Sequence, residues 1–206
     1  MTKDTLLKSI AETGYNVGFG AKRHFVTYDT YRIVPKLFSI ITLIIGVFQL
    51  TNIYKTNVSG NLAEWCSFLL IGVGLIALVV DLRSKSLEDY NMVGKELQGL
   101  YNRLRLLYNQ VKGNQEDRDF SAEIEVLNNI ELRFRDISIS EQATATHILT
   151  NLRFFTETQI DWLDEQLHFS IRDKFPFFHL ESFVLYLLLL GLLIWGVCHA
   201  IRLFYC

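Results

Sequence analysis

The residues able to do chemistry are scattered through this chain without the spacing that chemistry needs. The five histidines, His24, His147, His168, His179 and His199, form no HxxxH or HExxH pair that could hold a metal. Cys66, Cys198 and Cys206 form no CxxC, so neither a zinc site nor a disulfide framework is indicated. There is no GxSxG nucleophile elbow, phosphate-cradling Walker loop or deaminase-type HxE with PCxxC. Gly18-Phe19-Gly20 is not a dinucleotide loop, because no strand precedes it and the third glycine is missing. His179 and Glu181 are the most suggestive titratable pair, at the edge of a long apolar run, yet both lie close enough to its end to reach water. A non-enzymatic protein without cofactor or metal is expected.

Lys22, Arg23 and His24 make a compact basic spot, readable as headgroup contact and topology signal or as an anionic vestibule or lipid site. His24 lies on a helical stripe running through Leu6, Ile10, Thr13, Val17, Gly20, Ala21, Tyr28 and Tyr31. Gly18 and Gly20 weaken such a helix but let another backbone approach closely, as Gly46, Gly72 and Gly74 would inside the apolar runs. These eight residues, Gly18, Gly20, Lys22, Arg23, His24, Gly46, Gly72 and Gly74, are the candidate pore or association positions.

The elements that must position them begin with two uncharged apolar runs, Leu37–Tyr54 and Trp65–Val80, joined by a short polar turn around Ser59-Gly60. At about 1.5 Å rise per residue each can barely cross a hydrocarbon core of about 30 Å. The pattern is a transmembrane helical hairpin over 37–82, with spans near 37–54 and 65–82; a buried soluble hairpin would need other protein to cover it. A third run, Phe183–Ile201, bears aromatics at both ends and predicts a C-terminal transmembrane helix within 175–206.

Lysines and arginines crowd the flanks of these runs at Lys3, Lys8, Lys22, Arg23, Arg32 and Lys36, then at Arg83, Lys85, Arg172 and Lys174, against Lys55 alone in the turn. The positive-inside rule puts the N-terminus and residues 83–174 in the cytoplasm of a multi-pass inner-membrane protein. A composition 50% hydrophobic and 20% charged fits that class, and a net charge of −2 gives no basic field for nucleic acid.

Between the second and third runs the periodicity is helical throughout. Residues 1–36 read as an N-terminal cytoplasmic amphipathic helix, with Pro35 at the entry to the first span as a kink or restart. Residues 83–174 read as a cytoplasmic helical bundle. Its first helix carries Val93, Leu97, Leu100, Leu104 and Leu107 in a heptad-like stripe and could continue the second span as a rigid stalk. That stripe could drive homo-oligomerisation, or be satisfied within the chain. A charged turn at Lys112–Asp119 leads to a second helix with Phe120, Ile124, Leu127, Ile130, Phe134 and Ile137 inward, ended at Ser138-Ile139-Ser140. A third, from near Ser140, presents Leu149, Leu152, Phe155, Ile160, Leu163 and Leu167. The architecture expected is an all-α membrane protein.

The stretch Tyr15-Asn16-Val17-Gly18-Phe19-Gly20-Ala21-Lys22-Arg23-His24-Phe25, running into a two-span hairpin and a helical region, resembles the SLATT family over roughly residues 10–170. The resemblance implies a prokaryotic membrane effector found beside nucleotide-second-messenger synthases, nucleotide-sensing proteins or reverse transcriptases in anti-phage defence. Such an effector is expected to oligomerise into a pore that disrupts the inner membrane and arrests the infected cell. The family pattern has two spans, so the third apolar run is a departure. The alternatives are a non-conducting membrane anchor or sensor that recruits a soluble partner, and an accessory subunit of a transporter.

Overall fold

The structure is a computed structural model that describes residues 1–82, 87–115, 118–143 and 146–175. The third apolar run, His179, Glu181, His199, Cys198, Cys206, and the junction 83–86 lie outside the described residues. Every regular element among the described residues is helical: α1 Lys3–Gln49, α2 Asn52–Asn57, α3 Gly60–Leu82, α4 Leu87–Gly113, α5 Ser121–Ile137, α6 Thr146–Glu157, α7 Asp161–Leu167 and α8 Ile171–Lys174.

α1 organises the fold. Thr2 caps it by accepting from the Thr5 amide, and Asp4 in its first turn complements the helix dipole. The amphipathic stretch and the first apolar run, expected as separate segments, are one helix of 47 residues. Pro35 lies inside it rather than restarting it, although proline removes one ladder hydrogen bond there. The Pro35 carbonyl accepts from the Ser39 hydroxyl at 2.9 Å. The helix stops at Gln49, short of the expected end at Tyr54, because Thr51 caps a new helix: its side chain accepts from the Tyr54 amide at 3.3 Å. Apolar side chains predominate along α1 from Ile33 to Phe48, about 24 Å of helix at its ordinary rise. α3 starts at Gly60, ahead of the expected Trp65, and lies beside this part of α1, with Gly74 and Leu78 facing Pro35 to Leu43.

α4 lies antiparallel along the first half of α1. The register is set by Lys3, which donates to the Asn114 carbonyl at 2.6 Å, then Gly18 under Tyr101, Gly20 beside Leu97, and Phe25 against Gly94. α4 is therefore no free-standing stalk. Leu97, Leu100, Leu104 and Leu107 are buried in the chain's own core, with Val93 packed at its margin, so of the two ways to satisfy the heptad stripe the fold uses the intrachain one. α5 adds Leu127 and Ile130, with Phe134 and Ile137 against the core, and ends at Ser138 as its pattern predicts.

The third bundle helix is instead three short ones, and its register differs. α6 buries Thr146, Thr150, Asn151 and Phe154, while Leu149 and Leu152 are exposed. Threonine is tolerated inside because each hydroxyl is satisfied locally: Thr150 donates to the Thr146 carbonyl and Thr146 to the Ala143 carbonyl, both at 2.8 Å. α7 carries Trp162 and Leu163 into the core and closes at His168, whose positive φ of 50° is the left-handed stop of the helix. A capping box between Ser170 and Asp173 starts α8.

Candidate functional site

The stretch of α1 from Gly14 to Thr27 is gripped on several sides. Small residues make that possible. A Cβ on Gly14 would stand 2.3 Å from Trp162 Cη2, and one on Gly18 would stand 2.7 Å from Tyr101 Cδ2 and 3.0 Å from Phe154 Cε2. Gly20 faces Phe134, and Gly94 of α4 gives way in turn to the Phe25 ring. The gripping rings are themselves fixed. Tyr101 donates to the Gln159 carbonyl at 2.7 Å and accepts from the Trp162 indole N–H at 3.1 Å. Burial pushes the Tyr101 hydroxyl up to about 12, only partly opposed by the Trp162 bond, so it stays a neutral donor. Tyr15, Phe19, Phe154, Phe155 and Phe169 continue the aromatic packing with edge and tilted contacts of 5.2–5.8 Å.

The basic spot is divided among different tasks. Lys22 pairs with Glu157 at 2.9 Å, Arg153 contacts the same Glu157 at 3.9 Å, and Arg153 binds Asp29 at 2.6 Å. This relay ties two turns of α1 to α6. Arg23 keeps its Nε buried with no hydrogen-bond partner among the described residues. His24 is turned inward and is 3% exposed. Its Nδ1 lies 2.7 Å from the Gly20 carbonyl, which can only accept, so Nδ1 carries the proton. Nε2 is then an acceptor, taking the Ile139 amide at 3.2 Å and lying 3.3 Å from the Gln142 amide nitrogen. Gln142 is anchored by its bond to the Ile139 carbonyl and by the Thr27 hydroxyl, both at 2.7 Å. Burial holds the His24 imidazole below its ordinary value; the Gly20 bond opposes this and neighbouring Arg23 adds to it. His24 thus fastens the α5–α6 connection onto α1 in its neutral form.

Gly46, Gly72 and Gly74 are elsewhere, on the apolar pair, and a Cβ on any of them would meet nothing within 4 Å. The side chains around them are open: Ile44 is 62% exposed, Phe68 67% and Ile76 62%, and nothing among the described residues covers them. α1 is the one described helix long and apolar enough to cross a membrane. The candidate residues therefore fall into two groups, Gly18 to His24 inside the bundle and the three later glycines on the apolar pair. α1 is the covalent link between them. Two of the small contact positions, Gly14 and Gly94, were missed in the sequence, as were the rings of Tyr101 and Trp162. Gly14 could have been read from its i, i+4 spacing to Gly18.

The contacts around Gly14 to Thr27 hold α1 against α4, α6 and α7. No group of three or more His, Cys, Asp or Glu among the described residues is placed to hold a metal ion.

The family model for SMODS and SLOG-associating 2TM effector domain 6 matches residues 1–184, which takes in the bundle and both apolar helices. Neither the curated proteins nor the solved structures contain a match.

Proposed function

From the premise that this chain belongs to the family of SMODS and SLOG-associating 2TM effector domains, as the match over residues 1–184 shows, we infer that it is a non-enzymatic membrane effector of a prokaryotic anti-phage defence system. In this reading α1 and α3 form a transmembrane hairpin in the inner membrane, with the N-terminus and the α4–α8 bundle in the cytoplasm. A sensor, nucleotide synthase or reverse transcriptase encoded nearby acts on the bundle. Copies then associate through the hairpin into a pore or leak, since two spans without a polar face cannot line a water path alone.

The observation that carries the reading is the continuity of α1. One helix is clamped by Trp162, Tyr101 and the Lys22–Glu157–Arg153–Asp29 relay at one end and bare and apolar at the other. A helix transmits rotation and translation along its length, so release of α6 and α7 from the Gly14–Thr27 grip changes how the hairpin sits. Exposed contiguous apolar surface on this scale marks a membrane or partner contact. Ile44→Arg places a charge near the middle of the first span, at a cost of about 2.5–3.5 kcal/mol on insertion scales. Growth arrest on induction, lost in Ile44→Arg at matched protein level, supports the effector role; equal growth arrest by both rejects action through the hairpin.

Exposed Leu149 and Leu152 on α6 favour a second reading, an anchor that recruits a soluble partner through this face without conducting. Partner capture that survives in Ile44→Arg but fails in a Leu149→Lys, Leu152→Lys double variant, with no growth phenotype in any strain, would favour it.

A further inference from the structure

The apolar pair leaves a groove of about 750 Å³ along the side where α1 and α3 meet, walled by Pro35, Ser39, Ile40, Leu43, Gly74 and Leu78. We propose that its occupant is the chain's own apolar run, Phe183–Ile201, seated by the same copy; the proposal rests on the reading that α1 and α3 span the membrane.

Chain length favours the same copy. The last described residue is Phe175, at the end of α8. α8 is moored low on the bundle: the Asp173 carbonyl accepts from Asn151, Lys174 binds Asp164 at 3.0 Å, and Asp173 and Phe169 share a cleft with Tyr15 of α1. From Tyr15 to Ile33, where the apolar part of α1 begins, is about 27 Å along the helix. The chain from Phe175 to Phe183 reaches at most about 29 Å when fully extended. That limit keeps the start of the run within about 29 Å of the end of α8, which favours the groove of its own α1 and α3 over that of a distant copy.

Depth matching favours this groove. Gly74 lies two turns from the bundle-side end of α3, and Leu43 lies two turns beyond Pro35. Gly191 lies two turns into the run. An apolar helix entering at the same interface brings Gly191 to the depth of Gly74, where a Cβ would meet nothing within 4 Å. Small residues facing each other allow the close backbone approach that membrane helices use in place of a hydrophobic driving force. The run also carries no Asp, Glu, Lys or Arg, and neither does the groove apart from Lys36 at its mouth.

A third helix in the groove would cover one flank of the hairpin, leaving the other flank free for a second copy.

The test uses the full chain with Cys66, Cys198 and Cys206 replaced by serine, oxidised in isolated membranes. Gly74→Cys is paired in turn with cysteine at each of Leu190, Gly191, Leu192 and Leu193, which samples a whole helical turn. Leu78→Cys, paired with Leu187, Leu188, Leu189 and Leu190, repeats the test one turn away should Gly74→Cys misfold. A disulfide needs Cα atoms within about 7 Å. The expected result is loss of both thiols in a monomeric species at one or two positions of each set. Disulfide-linked dimers would overturn the proposal in favour of a neighbouring copy. Free thiols in every pair of a carbonate-resistant membrane protein would overturn the docking while leaving the hairpin standing. Recovery of the chain in the soluble fraction would overturn the spanning reading and this proposal with it.

Discussion

Gly18→Ala pits two opposing effects against each other. Alanine in a helix interior is favoured over glycine by about 1 kcal/mol, so a glycine without a packing role gains from the change. At Gly18 the new methyl would stand 2.7 and 2.8 Å from two carbons of the Tyr101 ring and 3.0 Å from Phe154. Ordinary carbon contact is about 3.5–4.0 Å, so the rings must withdraw by close to an ångström. Tyr101 is 2% exposed and held at its hydroxyl by Gln159 and Trp162. Overpacking of this kind costs about 1–3 kcal/mol, and a strained hydrogen bond adds roughly 0.5–1.5 kcal/mol. The steric side wins, leaving a net loss of about 0.5–3.5 kcal/mol. Gly99→Ala is the matched control, in the helix facing α1, because a Cβ there meets nothing within 4 Å. For a chain of this size about 1 kcal/mol shifts Tm by roughly 2–4 °C. Thermal unfolding of the detergent-solubilised protein, followed by helical circular dichroism, should show Gly18→Ala melting about 1–14 °C below wild type and Gly99→Ala about 2–4 °C above it. If the two variants move together, the close approach of α1 to Tyr101 and Phe154 is refuted.

His24 gives the fold an acid-sensitive point. Its value is lowered in the folded state, so its contribution is complete above the unfolded value near 6.5 and is lost as pH falls through 6.5 towards the folded value. The stability difference between wild type and His24→Gln should therefore narrow between pH 7.5 and 5.5, by no more than about 1.4 kcal/mol per pH unit; a constant difference would contradict the neutral Nε2 acceptor. Arg153→Ala cuts the Asp29–Arg153–Glu157 relay. These partners are about a third to half exposed, so the loss should stay under about 1 kcal/mol. Weaker clamping of α1 should nonetheless lower the expression level at which growth arrest sets in, measured by titrated induction; a higher threshold would contradict the clamp.

Much of the architecture was legible because apolar spacing and helix stops are local. Uncharged runs announced the α1–α3 pair, and the Phe120 to Ile137 stripe with its Ser138 stop announced α5. The Tyr15 to Phe25 string led to the family that the match over residues 1–184 shows. What was not legible depends on what lies opposite. Periodicity makes the α4 leucines a buried face but does not say whether a second copy or α1 covers it. Leu149 and Leu152 misled because leucine spacing in α6 competes with threonines that satisfy their own hydroxyls. The inward turn of His24 depends on Ile139 and Gln142, more than a hundred residues away in sequence. Thr51 looked like part of a span because its capping role shows only when the chain turns there.

Inner-membrane potential, read by a voltage-sensitive dye in cells carrying this chain with its neighbouring genes, is the most direct test that the hairpin acts on the membrane. Wild type and Ile44→Arg would be compared under phage challenge at matched membrane levels. The account predicts depolarisation with wild type and none with Ile44→Arg. An unchanged potential in wild-type cells that nonetheless stop growing would contradict it.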